Sequence, residues 1–499
     1  MAIRRPLISK SKFLNGVQCL KLLWHACHTP ETIPPVDSAK QALFDQGIEL
    51  NHWAQSLFDS GSSVNWDAGF QEGLDATRQA LSKGKPIFEA GFLVSDLFAR
   101  VDVLLPAESG RWAIVEVKSS TQVKDEHIDD VAFQKWVCES AGLTIAACEL
   151  ALIDTTYVRN GPIDAHRLIK RIDITKAVTA RAATLPDRIG RMRESLRTTQ
   201  SPDVPIGPHC MEPYPCPLKP KCWANVPANS VFTLKNGRAL AGKLWAEGIR
   251  ELKDIPQSQS LSPQQLIQIE CEKSGGQMHA DPDQIRAFLN LLVYPIHVLD
   301  FETLNPGIPV YDGSRPYEQI PFQFSLHIQS SPDQEASCAG YLHDGRTDPR
   351  PRILQMLKKE IRPEGSILAY NAKFEIGVLD GATNVYADYR SWFDEILPRF
   401  VDVYQPFKSF HYYHPDQLGS ASLKAVYPAL VGDAGYTDLQ IRDGATASQE
   451  FCRVTFRQSA PDDVRAVRRA LEAYCCQDTE GLIQVIRALE KLASPQLRA

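Results

Sequence analysis

Apolar and polar positions follow a helical period first and a strand period afterwards. Residues 38–60 carry large apolar side chains three or four positions apart, which predicts a helix. Residues 86–118 form extended segments broken by "PAESG", and a helix over 128–141 and an apolar strand, "LTIAACELALID", follow them. The Pro-rich stretch 202–229 cannot continue a helix or pair in a central strand, so it closes this part of the chain.

The pattern changes twice more towards the end of the chain. Residues 230–290 form short helices between turns, and a strand, "PIHVLDFE", begins an alternating strand and helix pattern. A chain of 499 residues is also too long for one hydrophobic core. The sequence therefore predicts an α/β multidomain protein divided into residues 1–229, a helical connector at 230–290, and residues 291–499.

The amino-acid composition indicates the class of protein and its cellular compartment. The content of 43% hydrophobic and 23% charged residues is ordinary for a globular protein, and no run of eighteen apolar residues occurs. The N-terminus lacks the apolar segment of a signal peptide, so we expect a cytoplasmic protein without a membrane partner. Twelve cysteines in a reducing compartment are then thiols or metal ligands before they are disulfides.

Charge is unevenly spread along the chain. The net charge of −6 argues against a general nucleic-acid binder, yet residues 165–197 hold nine Lys or Arg against three Asp or Glu. This segment is either a solvated helix face or a strip that contacts phosphates. The sequence leaves both interpretations open.

The first group of candidate catalytic residues lies in the extended segments. Asp102 occurs in "ARVDVLL", and Glu116 and Lys118 share one strand face in "VEVKSS". Two carboxylates can hold Mg²⁺, and a nearby lysine can orient the attacking water at a phosphate. The alternative is an exposed edge strand with an ordinary ion pair, which the Glu-x-Lys spacing alone favours.

The segments "VDVLL", "WAIVEVKSS" and "AFQKWV" resemble the PD-(D/E)XK nuclease core in its RecB-like branch. The resemblance implies a restriction-endonuclease-like core in which Asp102 and Glu116 bind metal, with Lys118 and Gln134 completing the catalytic set. Family members also carry a helical Gly-xxx-His metal ligand. Here Gly47 is followed four residues later by Asn51, with His52 adjacent, so this sequence departs from the pattern.

Cysteines flank this region. The stretch "HCMEPYPCPLKPKCW" contains Cys210, Cys216 and Cys222, and "SKFLNGVQCLKLLW" contains Cys19 far upstream. RecB-like nucleases of the AddB and CRISPR-adaptation kinds carry a 4Fe–4S cluster with one cysteine before the core and three after it, so the resemblance implies that these four are its ligands. Zinc is the alternative, although zinc sites prefer C-x2-C pairs and none occurs among the four.

The remaining cysteines are expected to be ordinary apolar thiols. They are Cys27, Cys138, Cys148, Cys271, Cys338, Cys452, Cys475 and Cys476.

A second group of carboxylates opens the C-terminal part. Asp300 and Glu302 end the apolar strand in "HVLDFET", where paired carboxylates are costly unless a cation neutralises them. Glu375 follows in "AYNAKFEIGVL". Tyr474 and Asp478 lie four apart on one predicted helix face in "LEAYCCQDTEGL". Each motif alone is frequent in proteins, so their order is the informative feature.

That order resembles the DEDD exonucleases of the ribonuclease H-like fold, in the tyrosine subtype. The resemblance implies that the metal ligands for two cations are Asp300, Glu302, Glu375 and Asp478. Glu375 stands where the family usually has Asp, and Asp380 and Asp402 are the substitutes. Asn371 and Tyr474 would position the attacking water. The segments "YEQIPFQFSLH" and "ASLKAVYPAL" also resemble a poorly characterised bacterial family in which this module follows a RecB-like one.

We therefore expect a two-site, Mg²⁺- or Mn²⁺-dependent nuclease that hydrolyses DNA, with RNA as the alternative substrate, in repair, recombination or defence. No G-xxxx-G-K-[ST] motif occurs, so unwinding would come from a helicase or another repair or defence protein. Two alternatives stay open. One is a nucleic-acid-binding scaffold with inactive sites, and the other is an RNA-processing exonuclease whose N-terminal domain only grips the substrate.

Overall fold

The structure is a computed structural model that describes residues 6–432, 435 and 439–494, without the side chains of residues 38 and 39. The chain forms two compact units. Their residues are Met1–Asn225 with Pro306–Tyr317 in the first unit, and Val226–Asn305 with Glu318–Ala499 in the second. The predicted connector, 230–290, thus belongs to the second unit. The α/β multidomain prediction is confirmed, since each unit combines a mixed sheet with helices.

The first unit contains seven strands and nine α-helices among its described residues. The strands are β1 (Ile8–Ser9), β2 (Ser62–Ser63), β3 (Ile87–Val94), β4 (Leu97–Pro106), β5 (Trp112–Lys118), β6 (Ile145–Ile153) and β7 (Ile169–Asp173). The helices are α1 (Lys10–Gln18), α2 (Leu20–His28), α3 (Ser38–Gln55), α4 (Phe70–Leu81), α5 (Asp125–Ser140), α6 (Ala165–Leu168), α7 (Thr175–Ala182), α8 (Leu185–Ser195) and α9 (Lys219–Cys222).

The strands of the first unit form one mixed sheet. Its order is β2-β3-β4-β5-β6-β7, with β1 paired to β4. Strand β5 is antiparallel to β4 and parallel to β6, so it is paired on both sides. The edge-strand interpretation of the Glu-x-Lys motif is therefore wrong. Helix α5 packs on this sheet with Phe133 and Val137 buried, and Phe13 of α1 stacks on Phe133.

Helix α3 confirms the helix predicted at 38–60 as far as Gln55, but only part of the predicted apolar face packs against the core. Leu43, Phe44 and Ile48 are exposed, although their spacing indicated an apolar stripe. Leu50 and Ala54, one helical turn apart, are the fully buried residues of this helix. Only the C-terminal half of the helix is therefore anchored in the core.

The second unit contains seven strands and ten α-helices among its described residues. The strands are β8 (His279–Ala280), β9 (Ile296–Leu304), β10 (Ile320–Gln329), β11 (Ser337–Leu342), β12 (Ile367–Ala369), β13 (Phe400–Asp402) and β14 (Tyr412–Tyr413). The helices are α10 (Arg238–Ala246), α11 (Pro263–Lys273), α12 (Pro282–Leu289), α13 (Arg350–Glu360), α14 (Lys373–Val385), α15 (Arg390–Ile396), α16 (Gln405–Lys408), α17 (Leu423–Val431), α18 (Gly444–Phe456) and α19 (Pro461–Ala493).

The main sheet of the second unit has the order β11-β10-β9-β12-β13. Strands β11, β10 and β9 are antiparallel, whereas β9, β12 and β13 are parallel. Successive side chains of β9 enter different cores: Val298 packs with Leu482 and Ile486 of α19, and Leu299 packs with Leu354 of α13. Helices therefore cover both faces of the strand that carries Asp300 and Glu302.

Among the described residues, no helix has the length and apolar character needed to cross a membrane.

Candidate functional site

The carboxylate pair of the second unit lies on the central strand β9. Asp300 and Glu302 are two residues apart and share the face that α19 covers, as Val298 does. Glu302 is buried, and Asp300 is partly buried. The thiol of Cys475 on α19 lies 3.7 Å from Asp300 Oδ2. Ligand atoms of Asp300, Glu302 and Cys475 all lie within 4.8 Å of one another.

Helix α19 brings two predicted residues to the same place. Tyr474 and Asp478 are both buried, and the Tyr474 hydroxyl is hydrogen-bonded to the Asp478 carboxylate one turn away. Lys424 of α17 donates from Nζ to the same hydroxyl at 3.1 Å. Burial, together with the charges of Asp478, Glu302 and Asp300, raises the pKa of Tyr474, so the phenol stays protonated.

The third acidic position belongs to Glu375 on the first turn of α14. Its side chain is buried, and Oε2 has no hydrogen-bond partner within the described part of the chain. Burial and the nearby charge of Asp300 raise the pKa of Glu375 well above its usual range. By contrast, Asp380 Oδ1 pairs with Arg390 Nη1 at 2.7 Å, and Asp402 Oδ1 accepts backbone N–H bonds that stabilise the turn before α14.

The electrostatics of this carboxylate cluster favour a bound cation. Burial is the largest cause that raises the pKa of Asp300 and Glu302 well above the usual range, and repulsion from Asp478 adds to it. The charge of Lys424 opposes this shift without cancelling it. Carboxylates this close together repel one another and tend to bind protons, so they stay ionised only when a cation neutralises their charge. Their oxygens are the ligands that Mg²⁺ and Mn²⁺ prefer.

The predicted residues of the first unit form a hydrogen-bonded ion cluster. Lys118 Nζ lies 2.7 Å from Glu116 Oε1 and 2.6 Å from Asp130 Oδ2. Lys10 Nζ donates to the same Glu116 oxygen at 2.6 Å. Gln134 Nε2 joins the two acids, with Glu116 Oε2 at 2.7 Å and Asp130 Oδ1 at 2.9 Å. Glu116 is thus oriented on both of its oxygens.

Asp102 differs from Glu116 in the direction in which its pKa is shifted. Asp102 Oδ2 accepts a hydrogen bond from the Val117 backbone N–H at 2.8 Å. Burial, followed by repulsion from Glu116, raises the pKa of Asp102 to about 7. Burial also acts to raise the pKa of Glu116, but the ammonium groups of Lys10 and Lys118 outweigh it and hold that pKa well below its usual range.

Helix α3, which carries Asn51 and His52, also reaches this region. Asn51 Nδ2 donates to Glu89 Oε1 at 2.6 Å, and the charge of Glu89 contributes to the raised pKa of Asp102. His52, the next residue of α3, is exposed. Asn51, and not His52, therefore occupies the face of the helix directed at the acidic cluster.

The sequence did not predict several residues that lie in the two candidate sites. Asp130 lies four residues before Gln134, so helical spacing was a signal that could have revealed it. Lys10, Lys424 and Cys475 carry no comparable signal, because only the fold brings them beside the acids.

The structure brings the four predicted cysteine ligands together. Cys19 lies between α1 and α2, and Cys222 ends α9. All four, Cys19, Cys210, Cys216 and Cys222, line one small cavity. Gln18 Nε2 donates to the backbone carbonyls of His209 and Tyr214, which holds the Pro-rich stretch against α1. Burial, and then the neighbouring thiolates, raise the pKa of Cys216 to about 11.

Part of the basic segment at 165–197 is engaged in ion pairs within the first unit. Arg181 and Arg188 each lie within 2.6 Å of Asp129 Oδ1, and Arg193 pairs with Asp96. These ion pairs fasten α7 and α8 to α5 and to the turn before β4. The segment therefore offers fewer free charges to a phosphate backbone than its composition indicates.

Comparison with known proteins identified a family model and a distantly similar solved structure. A family model described as a domain of unknown function (DUF2779) matches residues 297–422, a range that includes Asp300, Glu302 and Glu375. No curated protein matches the chain. A solved structure described as "Crystal structure of SSO0001" is 13% identical, with 37% of this chain and 76% of that chain covered and a TM-score of 0.21. A TM-score this low supports no inference about the fold or the activity.

Proposed function

We propose that the chain is a metal-dependent nuclease with two hydrolytic sites, and that the site of the second unit trims nucleic-acid ends. The buried carboxylate cluster around Asp300 and Glu302 carries this proposal. Burial and mutual repulsion leave its acids short of counter-charge, which a divalent cation supplies. DNA is the proposed substrate, RNA the alternative, and a separate helicase or other repair or defence protein the proposed partner.

Each residue of the second site has a distinct role. The proposed ligands are Asp300, Glu302, Glu375 and Asp478. When bound there, Mg²⁺ or Mn²⁺ would supply Lewis acidity at the phosphodiester and lower the pKa of water. Tyr474 keeps its proton and is held by Lys424, so its hydroxyl can orient the attacking water. The unpartnered Oε2 of Glu375 supports its assignment as a ligand rather than a packing residue.

Two fold assignments accompany this proposal. We assign a restriction-endonuclease-like core to the first unit, where antiparallel β3, β4 and β5 carry the acids and β5 continues in parallel into β6. We assign a ribonuclease H-like fold to the second unit, which joins three antiparallel strands to two further parallel ones. The strand order β11-β10-β9-β12-β13 supports this second assignment.

In the first unit, we assign Asp102 and Glu116 as the proposed metal ligands. Gln134 orients Glu116, and Lys118 is placed to act on water or phosphate. Asp102, whose pKa lies near neutrality, would lose its proton as the cation binds.

One observation favours a second function for this first site. Glu116 is ion-paired with both Lys10 and Lys118. An acid whose charge is neutralised by two lysines is consistent with a domain that binds nucleic acid without hydrolysing it. Lys118→Ala separates the two functions, because a loss of cleavage in this variant requires that the first site is catalytic.

We further propose that the four cysteines hold a 4Fe–4S cluster. The residues fit such a group by number and by donor type. Tetrahedral zinc with Zn–S near 2.3 Å needs sulfurs about 3.8 Å apart. Among the described residues, two sets of three ligand atoms lie within 4.8 Å of one another, and neither includes these cysteines. No three of the four sulfur atoms therefore lie within 4.8 Å of one another, and the preference for iron–sulfur over zinc rests on the resemblance to RecB-like nucleases.

Cys19→Ser should remove iron and visible absorbance as completely as Cys216→Ser. Both thiols line the same cavity although they lie far apart in sequence, so losing either one opens a four-ligand site. The measurement is iron content and the visible spectrum of anaerobically purified protein. Cys27→Ser, a partly buried thiol of the same unit, is the matched control and should keep full iron content. Stoichiometric zinc without iron would reject the cluster.

Glu375→Gln should lower end-trimming by at least about 10²-fold, because it removes a charge from the metal site and keeps the side-chain shape. Asp380→Asn should leave trimming unchanged, since Asp380 is engaged with Arg390 on the helix surface. The measurement is release of labelled mononucleotides in Mg²⁺, with metal affinity followed by calorimetry. Equal activity of the two variants would show that Glu375 is not the third acidic ligand.

A further inference from the structure

A second group of potential metal ligands lies in the second unit, outside the carboxylate cluster. His327 of β10, Cys338 of β11 and Cys476 of α19 each offer a ligand atom, and these atoms lie within 4.8 Å of one another. The sequence predicts ordinary apolar thiols at both cysteines. The structure contradicts this for Cys338, which is exposed on the edge strand and faces the other thiol.

We propose that His327, Cys338 and Cys476 form a zinc-binding site. The two sulfur atoms are 3.6 Å apart. Two thiolates on a tetrahedral zinc ion, with Zn–S near 2.3 Å, are separated by about 3.8 Å. The sulfurs are therefore already at the spacing of a shared metal ion.

The histidine is oriented as a metal ligand requires. His327 is buried, and its Nδ1 lies 2.8 Å from Thr479 Oγ1. The Thr479 hydroxyl also lies 2.7 Å from Ser325 Oγ and donates to the Cys476 carbonyl at 3.0 Å, which leaves its oxygen able to accept from His327 Nδ1–H. In the tautomer with the proton on Nδ1, Nε2 is the nitrogen that can bind a metal ion. A ring nitrogen bonded to an outer partner, with the other free to ligate, is the usual state of metal-bound histidine.

The donor set selects the metal class. Two thiolates and one imidazole suit zinc and are poor ligands for Mg²⁺, which prefers oxygen. The neighbouring Cys475 directs its thiol to Asp300, so consecutive residues of α19 separate into an oxygen-rich and a sulfur-rich site.

The location indicates what the site does. Helix α19 covers β9 and β10, whereas β11 is the edge strand of the sheet. Zinc bound by three residues would fasten β11 and β10 to α19 beside the carboxylates of Asp300 and Glu302. The exposed side of Cys338 leaves the fourth coordination position to water. This inference does not depend on the nuclease proposal.

Alkylation of individual cysteines tests the site in the full-length protein. The protein is reduced, stripped of zinc with a chelator, and treated with iodoacetamide with and without Zn²⁺, and peptide mass spectrometry reports each thiol. At free zinc ten times Kd, alkylation of Cys338 should slow about tenfold, because only the metal-free fraction reacts. Because the measured quantity is alkylation of the peptide that contains Cys338, zinc bound elsewhere in the protein does not affect it.

The variants decide between a metal site and other arrangements. Cys476→Ser and His327→Gln should both weaken zinc protection of Cys338, and Cys452→Ser, a thiol outside the group, should leave it unchanged. Circular dichroism verifies that each variant is folded. Zinc protection that persists in Cys476→Ser would overturn the proposal. So would recovery of a Cys338–Cys476 disulfide without zinc protection, which would identify a redox pair.

Discussion

The double variant Asp300→Asn with Glu302→Gln will stop mononucleotide release from free ends, with a loss of at least about 10³-fold. This loss is larger than the 10- to 100-fold loss of activity that follows removal of a residue hydrogen-bonded to a metal ligand, because both substitutions remove direct ligands. The amide replacements keep size and shape on β9. They also relieve the repulsion that raises the pKa of both acids, so the metal-free variant should remain folded.

The measurement is single-turnover digestion of end-labelled DNA in Mg²⁺, together with calorimetric Mn²⁺ binding. Asp380→Asn is the matched control, since it neutralises an acid of the same unit that pairs with Arg390 on the surface. Trimming at the wild-type rate by the double variant would show that the carboxylates serve packing and not hydrolysis.

The second large effect concerns the first unit. Lys118→Ala should lower its cleavage by about 10²–10⁴-fold while metal affinity changes little, because the ammonium acts on water and phosphate without ligating the cation. Lys10 remains on Glu116 Oε1 in this variant, which preserves the charge balance of the buried acid. Asp102→Ala should remove metal binding as well as cleavage.

Both changes are best made in the Asp300→Asn, Glu302→Gln background, where only the first site can cut. The measured quantities are strand cleavage and Mn²⁺ affinity. Lys124→Ala, an exposed lysine that precedes α5, is the control and should behave as its parent. If Lys118→Ala cuts as fast as its parent, the first unit does not hydrolyse nucleic acid through this lysine, and the grip function is favoured.

Hydrophobic periodicity predicted the elements that carry the sites. The apolar runs before Glu116 and Asp300 became β5 and β9, both central strands, and the helical spacing of Tyr474 and Asp478 falls on α19. These features are local, so a short window of sequence contains the information needed to predict them.

Features that depend on long-range packing were not predictable in this way. Lys10 meets Glu116 across 106 positions, and Lys424 meets Tyr474 across 50, with no periodic signal connecting them. The segment Pro306–Tyr317 interrupts the second unit but belongs to the first, where Arg159 donates to the carbonyls of Pro309 and Val310. The pairing of Cys338 with Cys476 is likewise set by the placement of α19 on the sheet.

The most direct test of the two-site nuclease proposal is digestion of labelled single- and double-stranded DNA and RNA by the anaerobically purified protein in Mg²⁺, Mn²⁺ or chelator. The wild type, Lys118→Ala, the Asp300→Asn, Glu302→Gln variant and their combination are compared. We predict metal-dependent cleavage by the wild type, loss of a different product from each single-site variant, and no cleavage by the combination. Undiminished cleavage by the combined variant, or no metal-dependent cleavage of any substrate by the wild type, would contradict it.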